Sequence, residues 1–596
     1  MYHQGPISAI AAFGPYVATA GYDNQVILWD ASQRQAIARG LHDHLVNHCA
    51  FSTDGSLIVS ASSDYSARIW EVPSLRLKAS LIGHSDDVDM AVFSPDDKLV
   101  ATCALDRTIR VFDLTGRCLK ILHGHTGNII SIAWTQHGNR LVSSSVDGTI
   151  RKWDAHTGAE ICCNDIDGVR TDTLVIDADG KIFAGDDKGR IVIISGGSLS
   201  YVQAHQAGIK KIAYDETTRV LVTLSYDRSI AIWQITDSHD VHEVSRTTIP
   251  ALVWARSAAL IGPTRIAVGT FGSTYGVFDW RANKWDFGDI VPAIGLNAVT
   301  VVDGAWYAIG DAGILLHNGR SAATLGSLCN FLLAADGRLL SGGQLGQLFD
   351  ARSGEVLYQH HSPLNCGTTF RRAGMTYVAI GTYTGEALVF AVDDSGELNL
   401  AVTLKIYDNA VKGLVASEDR LFSVCASTAV AWHDISNFTL LRLIDHAHER
   451  IANGCCLAGP NGFASIGRDL KLRIWIGEEE EVYQTPHPNS VKCICASDDR
   501  NTLMTGAYTG TLAGFDMRTR TWCSFSRPTA AGISSLTFDS HDRNFLASSY
   551  DGQIYVAAGE TPHVRQGSFA LREFFKASTP AVSSKSSTRL ASATLS

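Results

Sequence analysis

The 596-residue chain is too long for one ordinary core of ~150 residues, and its 45% apolar and 18% charged composition belongs to a folded protein, which excludes a disordered chain. A net charge of −10, with no gathering of Lys and Arg, argues against nucleic acid as a partner. No apolar run approaches the ~20 residues needed to cross a bilayer, and the opening MYHQGPISAIAAF lacks an export signal, so a cytoplasmic protein without membrane contact is expected.

Read in chain order, the sequence repeats itself. AGYDNQVILWD (20–30), ASSDYSARIWE (61–71), SSSVDGTIRKWD (143–154) and LSYDRSIAIWQ (224–234) each set an aspartate in a tight turn six residues before a tryptophan. Trp29, Trp70, Phe112 and Trp153 fall 41, 42 and 41 residues apart, a period typical of repeat architectures. The series weakens at Ile193, recovers at Trp233 and continues through Phe278, Leu316, Phe349, Phe390, Trp432, Trp475, Phe515 and Ala557. This makes fourteen units, those at 316 and 349 placed mainly by spacing.

A second marker precedes each turn. In GHSDDVDMAVF and GHTGNIISIAW, His84 and His125 stand nine residues before an aromatic, and His3, His42, His205, His361, His448 and His487 hold the equivalent place. Together with a Ser or Thr they give five full quartets: His3, Thr19, Asp23, Trp29; His42, Ser60, Asp64, Trp70; His125, Ser143, Asp147, Trp153; His205, Thr223, Asp227, Trp233; and His448, Ser465, Asp469, Trp475.

On these residues the chain resembles the WD40 repeat family, from His3 to about Gly559. The resemblance implies an all-β fold in which each unit is a four-stranded antiparallel blade of a β-propeller and each quartet is a buried hydrogen-bond chain from indole to hydroxyl to imidazole to carboxylate. Propellers hold four to eight blades, so two tandem seven-bladed propellers are expected at 1–282 and 283–560, with the break near DWRANKWDFGD (279–289). No Pro- or Ser-rich linker stands there, and the two rings are expected to abut. The last unit is read as ending around HVRQGS (563–568); FALREFF (569–575) is read as docking on the second ring, and the Ser-rich remainder of 561–596 as disordered.

Catalytic signatures are missing. There is no phosphate-cradling GxxxxGK[ST], no HExxH, no GxSxG and no strand–GxGxxG–helix, and the 53 glycines are accounted for by turns. The thirteen cysteines, unevenly spaced and without Cys-x-x-Cys, read as small apolar fillers. HDHLVNH clusters His42, His44 and His48, but His42 is committed to a quartet; this cluster, His446 with His448, and His360 with His361 are read as structural. Glu478 to Glu481 are read as a solvated hairpin tip. No metal, cofactor or catalytic residue is therefore expected.

The residue before the turn aspartate, or its equivalent, projects from one face in the family, and here it is often aromatic: Tyr22, Tyr226, Phe271, Tyr383, Tyr508 and Tyr550. Such rings suit protein interfaces. The expected function is a non-enzymatic scaffold or adaptor that binds a protein or peptide partner through these faces. A small-ligand sensor or enzyme using a central channel, and a regulatory subunit of a larger assembly, are the alternatives.

Overall fold

The computed structural model describes residues 1–236, 240–288, 290–393 and 395–558, together with the backbone of 565–567. Among the described residues there is no helix; strands follow one another from Ile7 to Gly567 and form fourteen four-stranded antiparallel sheets, each made of four consecutive strands, numbered 1 to 14 in chain order. In sheet 4, Ile129–Trp134, Arg140–Ser145, Thr149–Asp154 and Glu160–Asp165 lie side by side in that order. Every periodic position from Trp29 to Ala557 lies in the third strand of its sheet, Leu316 and Phe349 included.

Side-chain pattern explains which strand goes where. Leu57–Ser62, the second strand of sheet 2, is buried along its whole length and carries apolar or small residues on both faces. Arg76–Ile82, the fourth strand, is largely open to water and mixes polar with apolar residues. A run that is apolar on both faces belongs inside a stack of sheets, whereas a mixed run suits an edge.

Adjacent sheets pack face to face. Leu57, Val59 and Ile69 of sheet 2 meet Val88, Phe93 and Phe112 of sheet 3. The same packing sets sheet 1 against sheet 7, through Ile10, Val17 and Trp29 on Ala267, Tyr275 and Val277, and sheet 8 against sheet 14, through Leu296 and Val299 on Leu546 and Ile554. First strands neighbour one another in cyclic order within sheets 1–7 and again within sheets 8–14. Each large apolar side chain so buried contributes roughly 1.5–3 kcal/mol, and cyclic packing leaves neither group of sheets with an open apolar face.

Two expectations need adjustment. Lys284–Asp286 pairs with Gly276–Asp279 as the fourth strand of sheet 7, so a division after residue 282 would separate two hydrogen-bonded strands. The connection to sheet 8 instead runs between Asp286 and Leu296, held to sheet 7 by Ser273 N–H donating to Val291 O and Ala293 N–H to Phe271 O, both at 2.8 Å. Glu479–Gln484 is the fourth strand of sheet 12; Glu479 to Glu481 are strand residues rather than a hairpin tip, with Glu480 paired to Arg473 and Glu481 3.1 Å from Arg520. Those ion pairs offset the like-charge repulsion that favoured a turn. The fourth strand of sheet 14 is Arg565–Gly567, within HVRQGS; FALREFF and the Ser-rich end lie outside the described residues.

Polar chains run through the packed sheets. In sheet 4, Trp153 Nε1 donates to Ser143 Oγ at 2.8 Å, Ser143 Oγ is 2.7 Å from His125 Nε2, and His125 Nδ1 is 2.8 Å from Asp147 Oδ2. A carboxylate only accepts, so Nδ1 carries the proton and Nε2 accepts from the hydroxyl. The His–carboxylate distance is 3.0 Å for His3–Asp23, 2.8 Å for His42–Asp64, 3.0 Å for His205–Asp227 and 3.0 Å for His448–Asp469, and in each the indole of Trp29, Trp70, Trp233 or Trp475 reaches Thr19, Ser60, Thr223 or Ser465. Burial pushes the carboxyl groups of Asp64, Asp147 and Asp227 up, but the hydrogen bonds and charge of their histidines, together with hydrogen bonds from turn hydroxyls and amides, outweigh it and hold them well below the usual range.

Asp147→Ala leaves His125 Nδ1–H and Thr126 N–H, which donates to the same carboxylate at 3.0 Å, without an acceptor. The expected cost is about 2 kcal/mol, read as a lowered denaturation midpoint; an unchanged midpoint contradicts the network's contribution.

Candidate functional site

The turn aspartates position the loops. The next residue adopts a left-handed conformation in Asn24, Tyr65, Arg107, Arg228 and Leu470, with φ of 68°, 69°, 66°, 63° and 60°. Sheet 4 has Gly148 there, where a Cβ would stand 2.5 Å from the Gly168 backbone. For the others this conformation costs roughly 1–2 kcal/mol, offset locally because the amide two residues past the aspartate donates back to it, at 3.0 Å for Ser66–Asp64 and 2.9 Å for Ser229–Asp227. The result is a rigid turn that aims the following side chain outward from the blade end.

Those turns face each other. Arg228 of sheet 6 donates to Leu345 O of sheet 9 at 2.6 Å. Asp86 and Asp87, on the loop entering sheet 3, are buried and meet Arg450 at 2.7 Å and Arg468 at 3.1 Å from sheet 12. Burial pushes Asp86 up to about 6 against the pull of Arg450.

The six aromatics lie in the same gap. Tyr226 meets Tyr383 edge-on at 5.1 Å between centroids. Tyr508 lies over Tyr550 at 6.3 Å and 6.4 Å from His44 of sheet 2. Tyr22 and Phe271 do not touch each other directly; Trp254 stands between them, 5.1 Å from Tyr22 and 5.6 Å from Phe271. The expectation that these rings look outward to a separate protein therefore gives way: they line the space between sheets 1–7 and sheets 8–14. Two cavities of about 760 and 1040 Å³ occupy that space and share Tyr22, Tyr226, Tyr383, Tyr508, Arg256 and Lys412 as lining.

The histidine clusters separate into distinct tasks. His42 is in its quartet, His44 is buried with neither ring nitrogen hydrogen-bonded among the described residues, and His48 Nδ1 is 3.2 Å from Ala91 O. Burial, reinforced by Lys211, pushes His48 down to about 3. His446 sits 3.3 Å from Thr428 Oγ1 while His448 serves its quartet. In sheet 10 the buried histidine is His360 rather than the expected His361, and its Nε2 is 3.3 Å from Glu386. His360, His361 and Glu386 bring ligand atoms within 4.8 Å of one another, a grouping able to hold a metal ion that the sequence reading assigned to structure alone.

Partial networks lie outside the five quartets because each lacks one or more of the four residue types. His84 is 2.7 Å from Thr102 and 2.8 Å from Asp106; His487 is 2.9 Å from Thr505 and 2.7 Å from Thr511, a hydroxyl where others have a carboxylate. In sheet 11 a tyrosine replaces histidine: Tyr407 OH is 2.8 Å from Ser423 Oγ.

Fourteen four-stranded blades, cyclic packing and His–hydroxyl–indole networks define an all-β protein of the β-propeller class. The family model described as "WD domain, G-beta repeat" (WD40) matches residues 2–30, 37–71, 75–113, 116–154, 196–234 and 521–556, and the chain is a WD40-repeat protein. Transducin beta-like protein 3 of Homo sapiens is 32% identical over 263 residues, 39% of this chain and 32% of that protein. Nuclear distribution protein nudF of Emericella nidulans is 29% identical over 162 residues, 23% of this chain and 36% of that protein. Nuclear distribution protein PAC1 of Arthroderma benhamiae is 26% identical over 310 residues, 44% of this chain and 67% of that protein. The chain thus spans well under half the length of the first two relatives.

Asp89 projects into the gap with no hydrogen-bond partner among the described residues. Burial, and then Asp87, push it up to about 7, while Arg256 and Arg468 pull it down and Asp172 adds to the rise. An unfolded aspartate titrates near ~3.9, so Asp89 favours the folded state below that pH and this contribution is lost as pH rises toward about 7. The denaturation midpoint of Asp89→Asn is expected to fall less between pH 5 and pH 7.5 (about the window set by the two values) than that of the unaltered protein; parallel falls contradict the assignment.

Proposed function

We propose that the chain is a non-catalytic scaffold or adaptor, built as two seven-bladed propellers of sheets 1–7 and 8–14 that join between Asp286 and Leu296, and that it assembles protein partners in the cytoplasm. WD40-family proteins generally bind protein partners and sit in complexes, and relatives named for nuclear distribution or as a transcriptional corepressor carry names of regulation rather than of a reaction.

The observation that carries the reading is on the outer strands. Since the turn faces are taken up with each other, a partner has the circumference to bind. Leu440, Leu441 and Leu443 of the edge strand Leu440–Ile444 are 53%, 50% and 42% exposed. Ile476 and Val482 are exposed on the next sheet, and Arg442 spans the two by donating to Glu478 O at 3.5 Å. An edge strand with free backbone groups beside exposed leucines suits strand addition by a partner segment, main chain giving affinity and side chains selectivity.

Leu441→Asp with Leu443→Asp is expected to reduce co-purification of bound proteins from lysate by about tenfold or more, since a central apolar contact is worth ~2 kcal/mol, while the denaturation midpoint stays within ~0.5 kcal/mol of the unaltered protein. Undiminished co-purification would remove this surface from consideration.

A further inference from the structure

The space between the two groups of sheets is charged in a way that packing does not explain. In sheets 8–14 the second residue of a first strand faces this space, and four of them are asparagines that tie neighbouring sheets together: Asn297 donates to Cys329 O at 3.1 Å, Asn330 to Leu364 O at 2.8 Å, Asn365 to Val411 O at 2.6 Å and Asn453 to Val491 O at 2.8 Å. In sheets 11 and 13 the belt is interrupted by Lys412 and Lys492. Neither lysine has a carboxylate or hydrogen-bond partner among the described residues; each instead lies over a ring, Lys412 over Tyr383 at 5.4 Å and Lys492 over Tyr508 at 5.9 Å.

A third cation comes from the opposite side. In sheet 1 the entry to the first strand sets two residues, Ile7 to Ala9, against one step of its partner. In sheet 7 Val253 to Ala258 covers five against the two from Thr270 to Val268. The enlarged bulge carries Trp254 and Arg256 into the space, with Arg256 5.5 Å from the Trp254 ring and 3.4 Å from Tyr22 OH. Bulges re-aim side chains in this way at functional sites.

The neighbouring carboxylates are already engaged: Asp86 with Arg450, Asp87 with Arg468, and Asp172 with Lys210 at 2.6 Å. Among the described residues Asp89 has no partner, and Asp311, also on the lining, has only the Asn297 side-chain amide, at 2.9 Å. Burial pushes Lys412 down to about 7, and Lys492, Arg468 and Arg256 push it the same way, as happens when like charges share a desolvated site without a counter-ion. Cavities of about 760 and 1040 Å³ are the size of a metabolite site. Glu449 and Arg527 on the lining are exposed, marking where the space reaches solvent.

We propose that this chamber binds a small molecule bearing two or more phosphate groups, gripped by Lys412 and Lys492 from one side and by Arg256 from the other. The ligand would supply the missing counter-charge and, by touching both groups of sheets, favour their closed arrangement. Binding only to the closed arrangement stabilises it by mass action.

Isothermal titration and thermal denaturation of the full chain with pyrophosphate, ATP and inositol hexakisphosphate, against sulfate at equal ionic strength, test this. At least one phosphate probe should bind at least about tenfold more tightly than sulfate and raise the melting temperature. Response to pyrophosphate indicates a phosphate pair as the recognised unit, response to ATP alone a nucleotide, and response to inositol hexakisphosphate alone a ring polyphosphate. Lys412→Gln with Lys492→Gln should weaken that binding by at least about tenfold, the loss expected on removing two charge-assisted bonds, and should leave the ligand-free melting temperature equal or higher, because two repelling charges are gone. Lys98→Gln, on the surface beside Asp96, should leave binding unchanged. If the double variant does not fold, Lys492→Gln alone carries the same expectation. The proposal is overturned if no phosphate probe exceeds sulfate, if binding survives in the lysine variants, or if the ligand-free protein melts lower without the lysines.

Discussion

A buried imidazole that must find both a donor and an acceptor is the constraint on which the rest of the structure depends. His125 satisfies it by accepting from Ser143 and donating to Asp147, while Trp153 uses the other capacity of the hydroxyl. Leaving any one of these groups unpaired in a packed blade costs on the order of 1–3 kcal/mol, so the four residues hold one another in place and fix three separate segments of the unit. The entry loop, the second strand and the turn before the third strand are thereby positioned relative to one another in a single step.

From that constraint the faces of the blades follow. A pinned aspartate accepts from the next turn of chain and stabilises a left-handed residue that would otherwise be strained, which is how Tyr65, Arg107 and Arg228 come to stand at the blade ends. These ends of sheets 1–7 meet those of sheets 8–14 through two Asp–Arg pairs and an aromatic contact between Tyr226 and Tyr383. Surfaces that usually receive partners in proteins of this construction are here occupied by the chain itself. That leaves the outer strands facing solvent and a charged interior between the two groups.

Legibility in the sequence tracked the range of the interaction. Quartets were readable because a hydrogen bond across neighbouring strands demands a fixed interval, and the third-strand positions were readable even at Leu316 and Phe349 because the period persists where the residue type does not. The networks at His84, His487 and Tyr407 lack the full set of four residue types: Phe112 and Phe515 offer no indole donor, Thr511 stands for the carboxylate beside His487, and the Tyr407 hydroxyl stands for the imidazole. The end of sheet 7 was misplaced because Lys284–Asp286 is three residues long and shows no alternation. The six aromatics were recognisable as a group from their place before the turn, but not their opposition: Tyr226 and Tyr383 meet through the fold of the whole chain, and no spacing records it. Asp86 and Asp87 carried no trace of Arg450 and Arg468 for the same reason.

The closing of one turn face on the other is tested most directly by exchanging a charge pair across it. Asp87→Arg and Arg468→Asp, singly and combined, can be compared by small-angle scattering of the full chain. Each single variant should expand the particle by setting like charges against each other where Asp87 and Arg468 now pair at 3.1 Å, and the combined variant should restore the original profile. Profiles unchanged in the single variants, or expansion that the second exchange fails to reverse, would contradict the facing arrangement.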